Sequence, residues 1–213
     1  MEAWGSISPR TGSPHTDRCV IVLHAEFFNR LLGNSAIPEE NVENRSSIDK
    51  TEATPASIQE RQKVFDEGYQ QALELDLIPE GVEVVDSLNT FKVGARVGKK
   101  DWVYGEFGTR EETLAFLTKN PAWFAVDGVY HERFLRVELF ATATAGGTRL
   151  FAPAGGLLSR RLQSGLAFNT SMSGVENVIQ TIAHETGHYF HFDHDDTKIY
   201  NREYRAVKRY RAR

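Results

Sequence analysis

Cysteine is almost missing from this sequence: Cys19 is the single one among 213 residues. An internal disulfide framework and a cysteine-rich zinc cluster are therefore excluded. Long apolar runs are missing too. The longest, Cys19–Leu23 and Ala122–Val126, have five residues each, and a membrane-spanning helix needs about 20. The start, Met1-Glu2-Ala3-Trp4-Gly5-Ser6, has no cationic cluster followed by an apolar stretch. No signal peptide is visible in it, so the chain either stays in the cytoplasm or is shown without its export signal. An excess of positive charge is also lacking. The 25 Lys and Arg against 29 Asp and Glu give −4, which argues against nucleic acid as the main partner. What remains is ordinary for a folded chain: 40% hydrophobic, 25% charged and 11% aromatic residues exclude wholesale disorder.

The charge is unevenly spread. From Lys198 to Arg213 there are seven basic residues and one acid, Glu203, giving +6 and leaving −10 for residues 1–197. Such a stretch reads as a solvated helix face or, alternatively, as a partner-binding arm.

Residues 1–17 are rich in Ser, Thr, Pro and Gly and read as a loose N-terminus. Val20–Leu32 is apolar enough to be ordered, and the polar stretch 33–56 reads as a linker or long surface loop. Thr54-Pro55 predicts a helix start. The helix runs to about Leu77, with Phe65, Ala72, Leu73 and Leu75 on its apolar face, and stops at Pro79 and Gly81. Val82–Val85, Thr90–Val97 and Trp102–Phe107 are short and rich in β-branched and aromatic residues, as in a meander. Thr109 and Glu112 have capping-box spacing and open a short helix that ends before Pro121. Phe134–Thr144 alternates as a strand, Gly146-Gly147 marks a turn, and Leu166–Thr170 is a further strand. This order predicts an α+β domain over 18–197: a twisted mixed sheet backed by helices, with the last helix carrying the site and 198–213 as a basic C-terminal segment.

The informative stretch runs from Thr181 to His194. Ser173 and Glu176 form a second capping box, and Val175, Val178, Ile179 and Ile182 recur at helical spacing. His184 and His188 are then one helical turn apart on one face. Two imidazoles so placed can take two corners of a zinc tetrahedron. Glu185 lies beside the metal without being obliged to bind it, where a general base is needed. Random placement of 7 His and 19 Glu gives one His-Glu-x-x-His in roughly 2% of such chains. If the helix breaks just after His188, the chain can double back and bring His194 to the metal as a third ligand. Cys19 reads as a small buried residue, His131-Glu132 as a surface pair and His191 as a solvated turn residue; His15 and His24 carry no pattern.

The segment His184-Glu185-Thr186-Gly187-His188-Tyr189-Phe190-His191-Phe192-Asp193-His194 resembles the zinc signature of the metzincin peptidases, His-Glu-x-x-His-x-x-Gly-x-x-His. Thr181-Ile182-Ala183 and Asp193-His194-Asp195-Asp196 resemble the adamalysin branch, and Tyr189 is similar to pappalysin-like members. The resemblance implies a zincin-like fold, Zn2+ as cofactor, His184, His188 and His194 as zinc ligands, Glu185 as catalytic base, a protein or peptide substrate, and an extracellular setting. It implies a zinc metalloendopeptidase, with an edge strand near Gly165–Thr170 pairing with substrate and a tyrosine such as Tyr200 or Tyr204 helping to hold the oxyanion. His191 stands where the family has glycine, so the turn falls to a residue that loses more in the left-handed region. The family's methionine turn has no counterpart, because Met1 and Met172 both precede His194, and the C-terminal subdomain is minimal. A second pattern, that of the regulatory ImmA/IrrE-type metallopeptidases, resembles Glu203-Tyr204-Arg205-Ala206 and makes Glu203 the third ligand. A third reading is a non-catalytic, peptidase-like binding module.

Overall fold

A computed structural model describes residues 42–97, 101–151, 168–194 and 197–213. The expectations for residues 1–17, Cys19 and Val20–Leu32 lie outside the described residues. The chain is α+β. Its elements are α1 (Val42–Ala53), α2 (Ile58–Glu74), β1 (Glu83–Ser87), β2 (Phe91–Val97), β3 (Asp101–Phe107), α3 (Arg110–Lys119), β4 (Phe124–Val126), β5 (Gly128–His131), β6 (Arg136–Phe140), β7 (Gly147–Phe151), β8 (Phe168–Met172), α4 (Gly174–Tyr189) and α5 (Thr197–Arg211). No helix among the described residues is long and apolar enough to cross a membrane.

Among the described residues the strands form three small sheets rather than one. β1 lies parallel to β6, and β5 antiparallel to it, in the order β1-β6-β5; β3-β2-β4 is antiparallel; β7 and β8 form a pair. The expected meander is therefore corrected. β2 and β3 do form a hairpin, with Phe91 opposite Phe107, but β1 leaves it to pair with β6. Strand Phe134–Thr144 shortens to Arg136–Phe140, flanked by 3-10 turns over Glu132–Phe134 and Ala141–Thr144. Val137 and Leu139 point into the core, while Leu135 is left-handed and exposed.

The mixed sheet packs on α4. Leu88, Val137 and Leu139 meet Val178, Ile179 and Ile182, and Phe65, Ala72 and Leu75 of α2 close the other side. Both capping boxes around α4 and α2 are formed, Ser173 with Glu176 and Ser57 with Glu60. α2 therefore starts three residues after Thr54-Pro55, because a serine hydroxyl offers its first amides an acceptor that Pro55 lacks. Leu73 faces solvent, unlike the other three residues expected on its apolar face.

The stretch 33–56 contains α1, where a linker or loop was expected. α1 is mostly polar, with only Val42, Ile48 and Ala53 apolar, which hides it from an apolar pattern. It buries Lys50 in an ion pair with buried Asp127, between β4 and β5. Buried Thr51 and Thr54 return their hydroxyls to the carbonyls of Ser47 and Lys50. Pairing, rather than apolar surface, makes this burial affordable.

α5 runs back along α4. Arg202 donates to the Ala183 carbonyl at 3.0 Å and to that of Leu77 at 2.5 Å, and Arg211 pairs with Glu176 near the start of α4.

Candidate metal centre

α4 is buried along nearly its whole length, from Val175 to His188. His184 and His188 are 1% and 3% exposed, with ring centroids 5.1 Å apart. The helix ends at Tyr189, and the chain then reverses. His191 takes φ +58°, its amide donates to the His188 carbonyl at 2.9 Å, and the Phe192 amide donates to the Gly187 carbonyl at 3.2 Å. These two bonds across a left-handed residue are a Schellman turn. The expectation for His191 therefore holds: it is exposed, and it makes the turn that glycine makes in the resembled signature.

The turn delivers His194 to the helix. Its ring centroid lies 5.1 Å from that of His184 and 4.8 Å from that of His188. One nitrogen from each of the three residues lies within 4.8 Å of the others, so the cluster could hold a metal ion. The imidazoles are aimed by their far nitrogens. Nδ1 of His184 donates to the Glu203 carboxylate at 2.5 Å, and Nδ1 of His188 donates to the Phe192 carbonyl at 2.8 Å. An oxygen that only accepts fixes the proton on Nδ1 and makes Nε2 the nitrogen that carries a lone pair, the form that ligates a metal. Nε2 of His184 and Nε2 of His194 stand 3.1 Å apart. Two ligands of a tetrahedral zinc with bonds of about 2.0–2.1 Å stand about 3.3 Å apart. The donor set and this one spacing are compatible with a bound metal ion.

Glu203 reaches Nδ1 of His184 and not the point on which the donors converge. Its other oxygen accepts from Gln180 Nε2 at 2.9 Å. Gln180, one turn before His184, thus holds the carboxylate that holds the imidazole. Neither role is stated by the signature. The signal for Gln180 was its place on the stripe Gln180, His184, His188; Glu203 depends on how α5 packs.

Glu185 is 1% exposed and points toward the start of β5. Gly128 gives it room, since a Cβ there would stand 3.1 Å from Glu185 Cγ and 2.9 Å from Thr181 Cγ2. Tyr200 is buried with its ring 6.3 Å from that of His184. Tyr204 instead packs against Met172 and Val207. His194 is 21% exposed, so the cluster opens on the side of its own loop.

Of the expected edge strand, Phe168–Thr170 belongs to β8, which pairs with β7 and runs directly into the cap of α4; residues 165–167 lie outside the described residues. His131 is half-buried rather than a plain surface residue. Its Nε2 stands 3.0 Å from Glu138, and this bond, with a second from Ser87, holds the Glu138 carboxyl down at about 2. Comparison of the chain with protein-family profiles, with curated protein sequences and with solved structures returns no match.

Proposed function

We propose that this chain is a zinc-dependent metalloendopeptidase with a zincin-like arrangement. The observation that carries the reading is the convergence of three imidazoles, two of them oriented by hydrogen bonds, at the end of a His-Glu-x-x-His helix. Three-imidazole sites with an open face suit catalytic zinc. His184, His188 and His194 would hold the ion, and Glu203 with Gln180 would fix the ring of His184.

Zinc, when bound, supplies a Lewis acid for a peptide carbonyl and makes water far more acidic. Glu185 takes a proton from the attacking water and passes it to the leaving amine nitrogen. Its burial keeps bulk water from competing for that proton, and Gly128 leaves its side chain space to move. Tyr200, whose ring lies 6.3 Å from that of His184, is the tyrosine to which we assign steadying of the developing oxyanion. The substrate is a protein or peptide.

The test has two readouts. Metal analysis of purified protein should give about one zinc per chain. Glu185→Gln should keep that zinc and lower hydrolysis of a peptide library by about 10²–10⁴-fold. Hydrolysis that survives the change removes Glu185 from the mechanism. Zinc retained with no turnover by the wild-type chain turns the reading into a binding module.

The third ligand is tested separately. His194→Ala should abolish tight zinc binding, whereas Glu203→Ala should weaken it by about 10–100-fold, as loss of an orienting carboxylate does. The reverse ranking would move the site to the ImmA/IrrE-type pattern.

A further inference from the structure

Lys198, Arg202, Arg205 and Arg209 are spaced four, three and four residues apart. At about 100° per residue they fall within an arc of about 60° on one side of α5. The opposite side, with Ile199, Glu203, Ala206 and Val207, is buried. The four cations line one pocket of about 560 Å³, together with Asp76 after α2 and Phe192 of the metal loop.

The basic residues of α5 divide into two groups. Arg211 is held by Glu176, Arg213 by Glu74, and Arg202 by carbonyl oxygens. Among the described residues Arg205 and Arg209 have neither an ion pair nor a hydrogen bond, and both are exposed at the pocket. The like charges oppose each other. The Arg202 guanidinium is pushed below its ordinary pKa by burial, Asp76 counteracts this, and Arg209 adds to it. A concave site lined by four cations and one acid, Asp76, favours an anion, and the planar forks of its arginines match carboxylates two bonds at a time.

We infer that this pocket binds an acidic polypeptide segment through Arg205 and Arg209. A pocket of this volume takes a few side chains. A long polyanion would meet the −10 carried by residues 1–197, whereas a short run of Asp or Glu beside an apolar residue meets the cations and the Phe192 ring. Phe192 also gives the pocket its link to the metal centre, because its carbonyl fixes His188. The inference concerns binding at α5 and stands whether or not the chain hydrolyses peptides.

Fluorescence anisotropy with the full chain and a fluorescein-labelled octaglutamate peptide tests it. Arg205→Glu with Arg209→Glu should weaken binding by about tenfold or more. Lys63→Glu with Lys119→Glu makes the same charge change at residues that do not line the pocket and should leave affinity within about twofold, since exposed charges beyond a Debye length are screened. The milder Arg205→Gln and Arg209→Gln should each weaken binding several-fold, and circular dichroism checks that every variant folds. The inference fails if the wild-type chain does not bind the peptide, or if both double variants weaken it equally. It also fails if a labelled octathymidylate binds more tightly than the peptide through the same arginines.

Discussion

His191 holds a left-handed conformation at φ +58°, which costs an L-residue with a side chain about 1–2 kcal/mol. Glycine would remove that cost while giving the unfolded chain about 0.4–1 kcal/mol more freedom. His191→Gly should therefore stabilise the protein by about 0.5–1 kcal/mol, read as a higher urea midpoint with unchanged slope; a lower midpoint would show that the histidine ring contributes more than its backbone loses. At this scale the sequence was most legible where chemistry follows local spacing. His184, Glu185 and His188 are fixed by one turn of helix, and His194 by the reversal that follows. Gln180 and Glu203 were not legible as a pair, because their contact joins residues on two helices. Tyr200 and Tyr204 looked equivalent in sequence, and only the rotation of α5 separates them.

At the scale of elements, α2 and α4 approach closely at Gly68, where an added Cβ would stand 2.6 Å from Val178 Cβ. In an open helix Gly→Ala gains about 1 kcal/mol, but overpacking a tight contact loses about 1–3 kcal/mol. Gly68→Ala should therefore be destabilising in thermal melts, and combining it with Val178→Ala should restore part of the loss. A gain from Gly68→Ala alone would mean that the two helices separate without penalty. Caps were the legible part of the elements. Thr109 and Ser173 each accept from the amide three residues on, as their spacing predicted. The partner of β1 was not legible, since a parallel ladder joining Glu83–Ser87 to Arg136–Phe140 leaves no mark in either segment alone. α1 escaped because the residues it is seen to bury are Ser47, Lys50 and Thr51 instead of aliphatic ones.

Across the whole molecule, the pair of Lys50 with Asp127 joins α1 to the junction of β4 and β5, and both residues are buried. Removing one partner of such a pair costs about 3–5 kcal/mol, whereas replacing both by apolar residues of similar size is often neutral. Lys50→Met should thus lower the free energy of unfolding by about 3–5 kcal/mol in urea titrations, and adding Asp127→Leu should recover much of it; additive losses would show that the two side chains do not act as a pair. Asp127 directly precedes Gly128, the residue that leaves room for Glu185, so the ion pair and the metal centre share one short stretch of backbone. Proteolytic trimming back to Ser57 would consequently do more than shorten an appendage. It would leave the buried Asp127 carboxylate without its partner, next to the glycine that makes room for Glu185.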